Sequence, residues 1–308
     1  MFSSERLKGI DAFVCVADTG SFKAAAERMN LTGSAISKSI ARLESRLGMR
    51  LFHRTTRRLS LTDAGATFYR TCAGVLTELE EAEQAMQAES TEPRGRIRID
   101  LPAAFGRLKA LPVILQFVEA HELLLPHISF SDRFIDPVEE GVDIVVRVGG
   151  ADVWPAALGH RYLGSERHIF CASPGYLRKH GEPKTAADLE RHHCVAYGRA
   201  DGTVSPWRFV GSRPGDVERR VMPARMVVGD GEAQVAAVVA GCGIAQLPTW
   251  LISRQLEEGT LVEVLPQLAT EGLPITLLWI KRRQALPKVG ALLEALTEGL
   301  MMVGGGAR

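Results

Sequence analysis

Ser34, Ser37, Lys38 and Arg42 fall on one face of a helix drawn through "NLTGSAISKSIARLE", with Ala35, Ile36, Ile40 and Leu43 forming an apolar stripe on the other. Two hydroxyls, an ammonium and a guanidinium on one face are donors suited to phosphate oxygens and base edges. A purely structural helix would open with Leu, Glu or Lys. This one opens with Thr32, Gly33, Ser34 and Ser37, small residues that allow its first turns to press against another surface. Downstream, "MRLFHRTTRRLSLT" places Arg54, Arg57 and Arg58 in a basic turn between short apolar runs, where they would lie along a phosphate backbone. The net charge of +1 hides this concentration. Residues 1–61 hold eleven Lys/Arg and five Asp/Glu, whereas residues 62–92 hold one Arg and seven acids. Only the head is built for a polyanion.

Helical spacing of Ile10, Phe13, Val14 and Ala17 predicts a first helix over about residues 4–18. Ser21 caps a second, "SFKAAAERM". After the turn "NLT", Thr32 or Ser34 starts a third, which Gly48 ends. Two short helices joined by a tight turn describe a helix-turn-helix, and the basic stretch after Gly48 reads as a β-wing. "TDAG" at Thr62 then caps a long helix. Phe68, Cys72, Val75, Leu79, Ala82 and Met86 follow at alternating steps of four and three residues, the seam of a two-stranded coiled coil, which implies a homodimer, with packing against the head through Phe68 and Tyr69 as the alternative.

The stretch "FVCVADTGSFKAAAERMNLTGSAISKSIARLESRLGMRLFHRTTRRLSLTDAG" resembles the winged helix-turn-helix of LysR-type transcriptional regulators. Met29 replaces the usual Leu, and Gly33–Ser34 departs from the commoner Gln-Pro or Pro-Ser. The resemblance implies that Ser34, Ser37 and Lys38 face the DNA groove and that the wing arginines hold the backbone. Ser21, Thr32 and Arg42 complete the DNA-facing set.

From "STEPRGR" onward, strand-like and helix-like segments alternate, which predicts α/β architecture with mostly parallel sheets in two lobes around a crevice. "SDRFIDPVEEGVDIVVRVG", "CASPGYLRKHG" and "VAGCGIAQLP" are similar to the effector-binding domain of the same family, in the branch called CrgA-like, with its type-2 periplasmic-binding-protein fold. The expected fold class is thus α+β multidomain. A winged helix-turn-helix occupies 1–61, a linker helix 62–90, a hinge 91–96 and the two-lobed domain 97–302, ahead of a flexible tail at 303–308. Lobe one takes 97–163 and 266–302, and lobe two 164–265. Pro126 is expected to shorten the start of its strand.

Ligands in such folds sit at strand C-termini and helix N-termini. Backbone N–H groups of Ala103, Ala104, Phe105 and Gly106, with Arg147, would suit an anion. Asp230 would suit a polar or cationic group, Phe105 an aromatic ring, and Gly149 stands nearby. Arg147 paired with a local acid is the alternative. The expected partners are double-stranded promoter DNA and a small-molecule effector, with an organic anion or aromatic acid as candidates. A homotetramer built from dimers is expected, and RNA polymerase is a further candidate. No cofactor, metal or membrane is expected. No signal peptide or membrane-spanning run is visible, which points to the cytoplasm.

"GCGIAQ" lacks a third glycine and precedes a strand, so it is no dinucleotide loop. "RHHC" has no further ligand at metal spacing. No GxSxG, P-loop or HExxH occurs, so an enzyme is not expected. A solute-binding protein or a DNA-packaging protein explains only one half of the chain. Cys15, Cys72, Cys171, Cys194 and Cys242 read as reduced thiols, with a redox pair among the last three as the alternative.

Overall fold

Phe13, Val16, Ala25, Ile36, Ile40 and Leu43 are fully buried and form the centre of the N-terminal core. The computed structural model describes residues 7–54, 59–86, 92–150, 153–199, 201–211, 213 and 216–301. It divides into two units, Met1–Thr91 with Val138–Gly141, and Glu92–Pro137 with Val142–Arg308.

In the first unit, α1 (Ile10–Thr19) begins after Gly9, which is in a left-handed conformation. It is therefore shorter than the expected 4–18, and residues 4–6 lie outside the described residues. Ser21 caps α2 (Phe22–Arg28), its Oγ accepting from the Ala24 N–H at 3.3 Å. Thr32 caps α3 (Gly33–Leu47) by accepting from the Ala35 N–H at 3.2 Å, and left-handed Gly48 ends that helix. The wing strands β1 (Phe52–Arg54) and β2 (Leu59–Leu61) pair antiparallel, Phe52 opposite Leu61. The Glu44 carboxylate accepts from the Leu51 and Phe52 N–H groups at 2.8 and 3.3 Å, which ties α3 to β1.

Thr62 opens α4 (Asp63–Met86) by accepting from the Gly65 N–H at 2.9 Å. Here the helix crosses so close to the Leu51 carbonyl that any Cβ on Gly65 would collide with it. The expected seam of α4 divides in two. Phe68 and Cys72 face the head's own core, the Phe68 ring 5.5 Å from Phe13, and the Tyr69 hydroxyl donates to Asp18 on α1. These two positions are therefore corrected from dimer seam to intradomain packing. Val75 and Leu79 are exposed. The side chains of Ala82 and Met86 lie outside the described residues.

The second unit begins with β3 (Gly95–Leu101). The Gly95 N–H already bonds the Leu123 carbonyl, so Gly95 and Arg96 belong to the sheet and the hinge ends earlier than the expected 96. The single helix expected from Phe105 to Glu119 is α5 (Ala103–Phe105), a π-helical turn at Gly106–Ala110 and α6 (Leu111–Glu119). Then come β4 (Leu124–Phe130), α7 (Pro137–Glu140), most of which groups with the first unit, β5 (Ile144–Val148) and β6 (Leu158–Gly164). Lobe two follows with β7 (Arg167–Ala172), α8 (Pro174–His180), β8 (Cys194–Tyr197), β9 (Trp207–Val210), β10 (Val217–Arg220), β11 (Ala224–Val228), α9 (Gly231–Val239), β12 (Ala245–Pro248), α10 (Thr249–Glu257), β13 (Val262–Val264) and β14 (Thr270–Glu271). The chain returns through β15 (Ile275–Ile280) and α11 (Pro287–Leu300).

Lobe one is a five-stranded sheet ordered β4-β3-β5-β15-β6, and lobe two centres on β12-β7-β13. Two expectations are corrected here. Among the described strands only β3 with β4, β3 with β5 and β8 with β11 pair parallel; the other ladders are antiparallel. In lobe one the reason is β15, which comes back from lobe two and inserts antiparallel between β5 and β6, while in lobe two β7 pairs antiparallel with β12, β13 and β14. In addition, Thr270 still pairs with His168 of β7, so lobe two extends past 265 and lobe one resumes at Ile275. Pro126 does not shorten β4, which starts at Leu124. As the edge strand, β4 tolerates a residue without an N–H on its open side. The tail at 303–308 lies outside the described residues.

Candidate functional site

Three elements position the outer face of α3. The cap at Thr32 fixes where the helix starts, the Ile36–Ile40–Leu43 stripe presses it onto α1 and α2, and Glu44 locks its far end to the wing. What remains outward is Ser34, Lys38 and Arg42, all exposed, with Ser37 half-buried beside them. Ala35 is exposed as well and is corrected from core to surface, because the inward stripe steps from Ile36 and not from Ala35. Its methyl group therefore lies on the same face as Lys38. Lys38, Ala41, Arg42, Ser45 and Arg46 line a shallow groove along that face. Among the described residues neither Lys38 nor Arg42 has a carboxylate partner. Thr32 Oγ1 lies 3.1 Å from Ser34 Oγ. The Ser21 Oγ accepts a backbone N–H and keeps its own proton to donate. Arg54 is in β1 with its side chain outside the described residues, and Arg57 and Arg58 lie outside them altogether.

At the lobe junction the sequence expectations need more change. Arg147 is buried, 2.7 Å from the Asp100 carboxylate, and donates also to the Val146 carbonyl at 2.8 Å. It is a structural ion pair, since its position mid-strand in β5 points it into the sheet's polar interior and not into a crevice. Ala104, Phe105 and Gly106 are buried, and the Phe105 ring meets Trp250 of lobe two edge-on at 5.1 Å. Phe105 thus cements the two lobes and offers no free face to a ligand. The Ala103 N–H is taken by Asp132 Oδ1 at 2.9 Å. Gly149 has φ +79° and donates to the Pro274 carbonyl. Asp230 caps α9 by accepting from the Ala233 N–H at 2.9 Å. That bond is the main reason its carboxyl lies below the usual range, with Arg107 helping.

Of the polar groups that cross the junction, the sequence reading singled out Asp230 alone. Arg107 of lobe one contacts Asp230 at 3.1 Å and also holds Glu232, both on lobe two. The Tyr197 hydroxyl of lobe two donates to Asp132 Oδ2 of lobe one at 2.8 Å. Burial first, and then the Asp132 carboxylate, push the Tyr197 hydroxyl well above its ordinary range. One apolar cluster runs from Ile97 and Phe105 through to Val235 and Trp250, so both lobes share a core beneath these bridges. The only signal for Arg107 was its place in "PAAFGR", one turn into the helix after a strand.

Cys171 and Cys194 have little redox reactivity to offer. Burial pushes the Cys171 thiol up to about 12 and that of Cys194 to about 11, which suppresses the thiolate that redox chemistry needs. Among the described residues no group of three His, Cys, Asp or Glu could hold a metal, and no helix is long and apolar enough to cross a membrane.

A winged helix-turn-helix joined to a two-lobed α/β body is the architecture of a DNA-binding regulator. The model for bacterial regulatory helix-turn-helix proteins of the lysR family matches residues 7–66, and that for the LysR substrate binding domain matches residues 90–301. The chain belongs to the LysR family of transcriptional regulators. It is 34% identical over 285 residues to an uncharacterized HTH-type transcriptional regulator of Haemophilus influenzae, covering 92% of this chain and 97% of that one. It is 32% identical over 262 residues to the HTH-type transcriptional regulator CrgA of Neisseria meningitidis, covering 85% and 86%. The solved structure of CrgA superposes with a TM-score of 0.61 at 28% identity, over 97% of this chain and 99% of that one. These relatives are regulators and not enzymes, and CrgA among them agrees with the branch that the sequence resembles.

Proposed function

We propose that the protein binds promoter DNA sequence-specifically through α3 and its wing, and that a small molecule seated between the lobes sets its activity. The observation that carries the first half is the unpaired cationic face of α3, Lys38 and Arg42, on a helix whose start and end are both locked. Phosphate contacts from such a face supply salt-dependent affinity, while Ser34, Ser37 and the Ala35 methyl discriminate bases. The second half rests on the junction. A small organic acid entering there competes with Asp132 for the Ala103 N–H and the Tyr197 O–H, and with Asp230 and Glu232 for Arg107. The exposed Val75 and Leu79 on α4 support a dimer. Exposed Leu115 and Leu125 on lobe one, with Met226 and Val227 on lobe two, offer a second contact that builds a tetramer in the cytoplasm, where RNA polymerase is the further partner.

The test is fluorescence anisotropy of the full chain with a duplex from its own upstream intergenic region, against an unrelated duplex, over a range of salt. Tighter binding to the upstream duplex with a steep log–log salt slope is expected. Equal binding to both duplexes over the whole range removes the sequence-specific reading. A panel of small carboxylic acids added to the bound complex should shift the midpoint for at least one acid if the junction is the effector seat.

A further inference from the structure

On the outer side of lobe two, away from the lobe junction, α8, the end of α9 and β11 enclose an open basin of about 960 Å³. That is the size of a small-molecule pocket. Its charged side chains are all cationic. Arg178, Lys179 and His180 of α8, His193 and Arg225 line it, and no Asp or Glu does. Several arginines elsewhere in this unit sit on carboxylates, among them Arg147, Arg167, Arg220 and Arg254. Arg225 instead places Nη1 2.8 Å from His193 Nδ1. A guanidinium cannot give up its proton, so His193 must take that contact as a neutral acceptor. Partial burial, and then the charges of Arg225, His180 and Lys179, hold the His193 ring below its ordinary range.

The cluster is also fixed in place. His180 stacks on Tyr176 with ring centroids 4.5 Å apart, and the Tyr176 hydroxyl accepts from the His193 N–H at 2.9 Å. It also lies 3.0 Å from His192 Nδ1. Like charges gathered in one basin repel each other, and holding them without a counter-charge costs energy that an anion would return.

We propose that this basin is a binding site for a small polyanion, one carrying two or more oxyanion charges such as a tricarboxylate or a phosphate. Arg225 supplies a planar pair of donors to one oxyanion group, Lys179 and Arg178 neutralise the rest, and Met226, Val239 and Cys242 border an apolar side. When Arg225 turns its donors from His193 to a bound dianion, the His193 ring loses the donor that kept it neutral, and the dianion stabilises its protonated form. Binding therefore takes up a proton and tightens as pH falls through the histidine range. The groups facing the anion are Tyr176, Arg178, Lys179 and His180 from α8, His193 from the loop before β8, Arg225 from β11 and Cys242 after α9.

The experiment is isothermal titration of the full chain with citrate, inorganic phosphate and benzoate, run in two buffers of different ionisation enthalpy. Saturable binding at one site per chain is expected for citrate or phosphate, citrate alone marking a carboxylate site and phosphate alone a phosphate site, with benzoate weaker than either. Arg225→Gln should weaken it at least about tenfold, the worth of one charged hydrogen-bonded pair, and His193→Gln should lower the proton uptake. Lys38→Ala with Arg42→Ala, and separately Arg107→Gln, should leave it intact. The proposal fails if neither citrate nor phosphate saturates by roughly 10 mM, or if benzoate binds as tightly. It fails equally if Arg225→Gln has no effect, or if the α3 or Arg107 variants remove the binding, because the anion then sits on the head or in the lobe junction.

Discussion

On α3, Lys38 and Arg42 stand in solvent without a carboxylate, whereas at the lobe junction Arg107 lies between Asp230 and Glu232, and Tyr197 lies against Asp132. The two regions use similar side chains for opposite ends. The α3 face keeps Lys38 and Arg42 off any carboxylate among the described residues, and its rigidity comes from apolar packing beneath it. A junction between two bodies pairs its charges across the gap, and each pair is a contact that something else can displace. The Arg107 bridges are about 40% exposed on both sides, so each contributes no more than about 1 kcal/mol. Such bridges hold two lobes together and still release them.

The contrast is sharpest at Arg147, whose pair with Asp100 is 4–5% exposed. Arg147→Ala strands a buried carboxylate and should cost the second unit about 3–5 kcal/mol in urea denaturation. A loss under about 1 kcal/mol would return Arg147 to the ligand-facing set and blur the contrast. Next in size, replacing Lys38 and Arg42 together by alanine should weaken upstream-duplex binding by about 3 kcal/mol or more, with the melting temperature unchanged. Full footprint protection by that double variant would mean that another surface reads the DNA.

A smaller effect is expected at the junction. Arg107→Gln should lower stability by no more than about 1 kcal/mol yet speed amide exchange in 103–110 and 231–239, since the lobes part more often. Unchanged exchange there would mean that the Phe105–Trp250 contact alone holds the lobes. The least effect comes from pH. Asp230 is depressed in the folded state, so its contribution is complete above the unfolded value of about 4 and is lost as pH falls through the lower folded value. Exchange of the first turn of α9 should quicken over that acid window in the parent chain and less in Asp230→Asn. Equal profiles would remove Asp230 as the cause.

The parts of the fold legible in the sequence are those governed by neighbours a few residues apart. Ser21, Thr32 and Thr62 act as caps and Gly48 as a stop because each needs only a backbone N–H or a left-handed bend close by. The α3 face was legible for the same reason, apart from Ala35, whose small side chain fits either face. The junction was not. Asp132 meets a backbone 29 residues away and a hydroxyl 65 away, and Arg107 meets carboxylates 123 and 125 residues away. No local pattern carries such pairings. The same holds for the antiparallel insertion of β15, which depends on where the chain returns and not on its own apolar run "ITLLWI". Phe68 and Cys72 were misassigned because alternating steps of four and three residues are satisfied as well by an intradomain neighbour as by a second chain.

That last feature has a mechanical meaning. Phe68, Cys72 and Tyr69 weld the first turns of α4 into the helix-turn-helix, and Gly65 lets it press directly against the strand that Glu44 holds. The 24-residue helix and the reading face therefore turn as one piece. At 1.5 Å per residue this is a lever of about 36 Å, with no soft joint at its DNA end. A small tilt imposed on its far end re-aims α3 in space and leaves the chemistry of the reading face untouched.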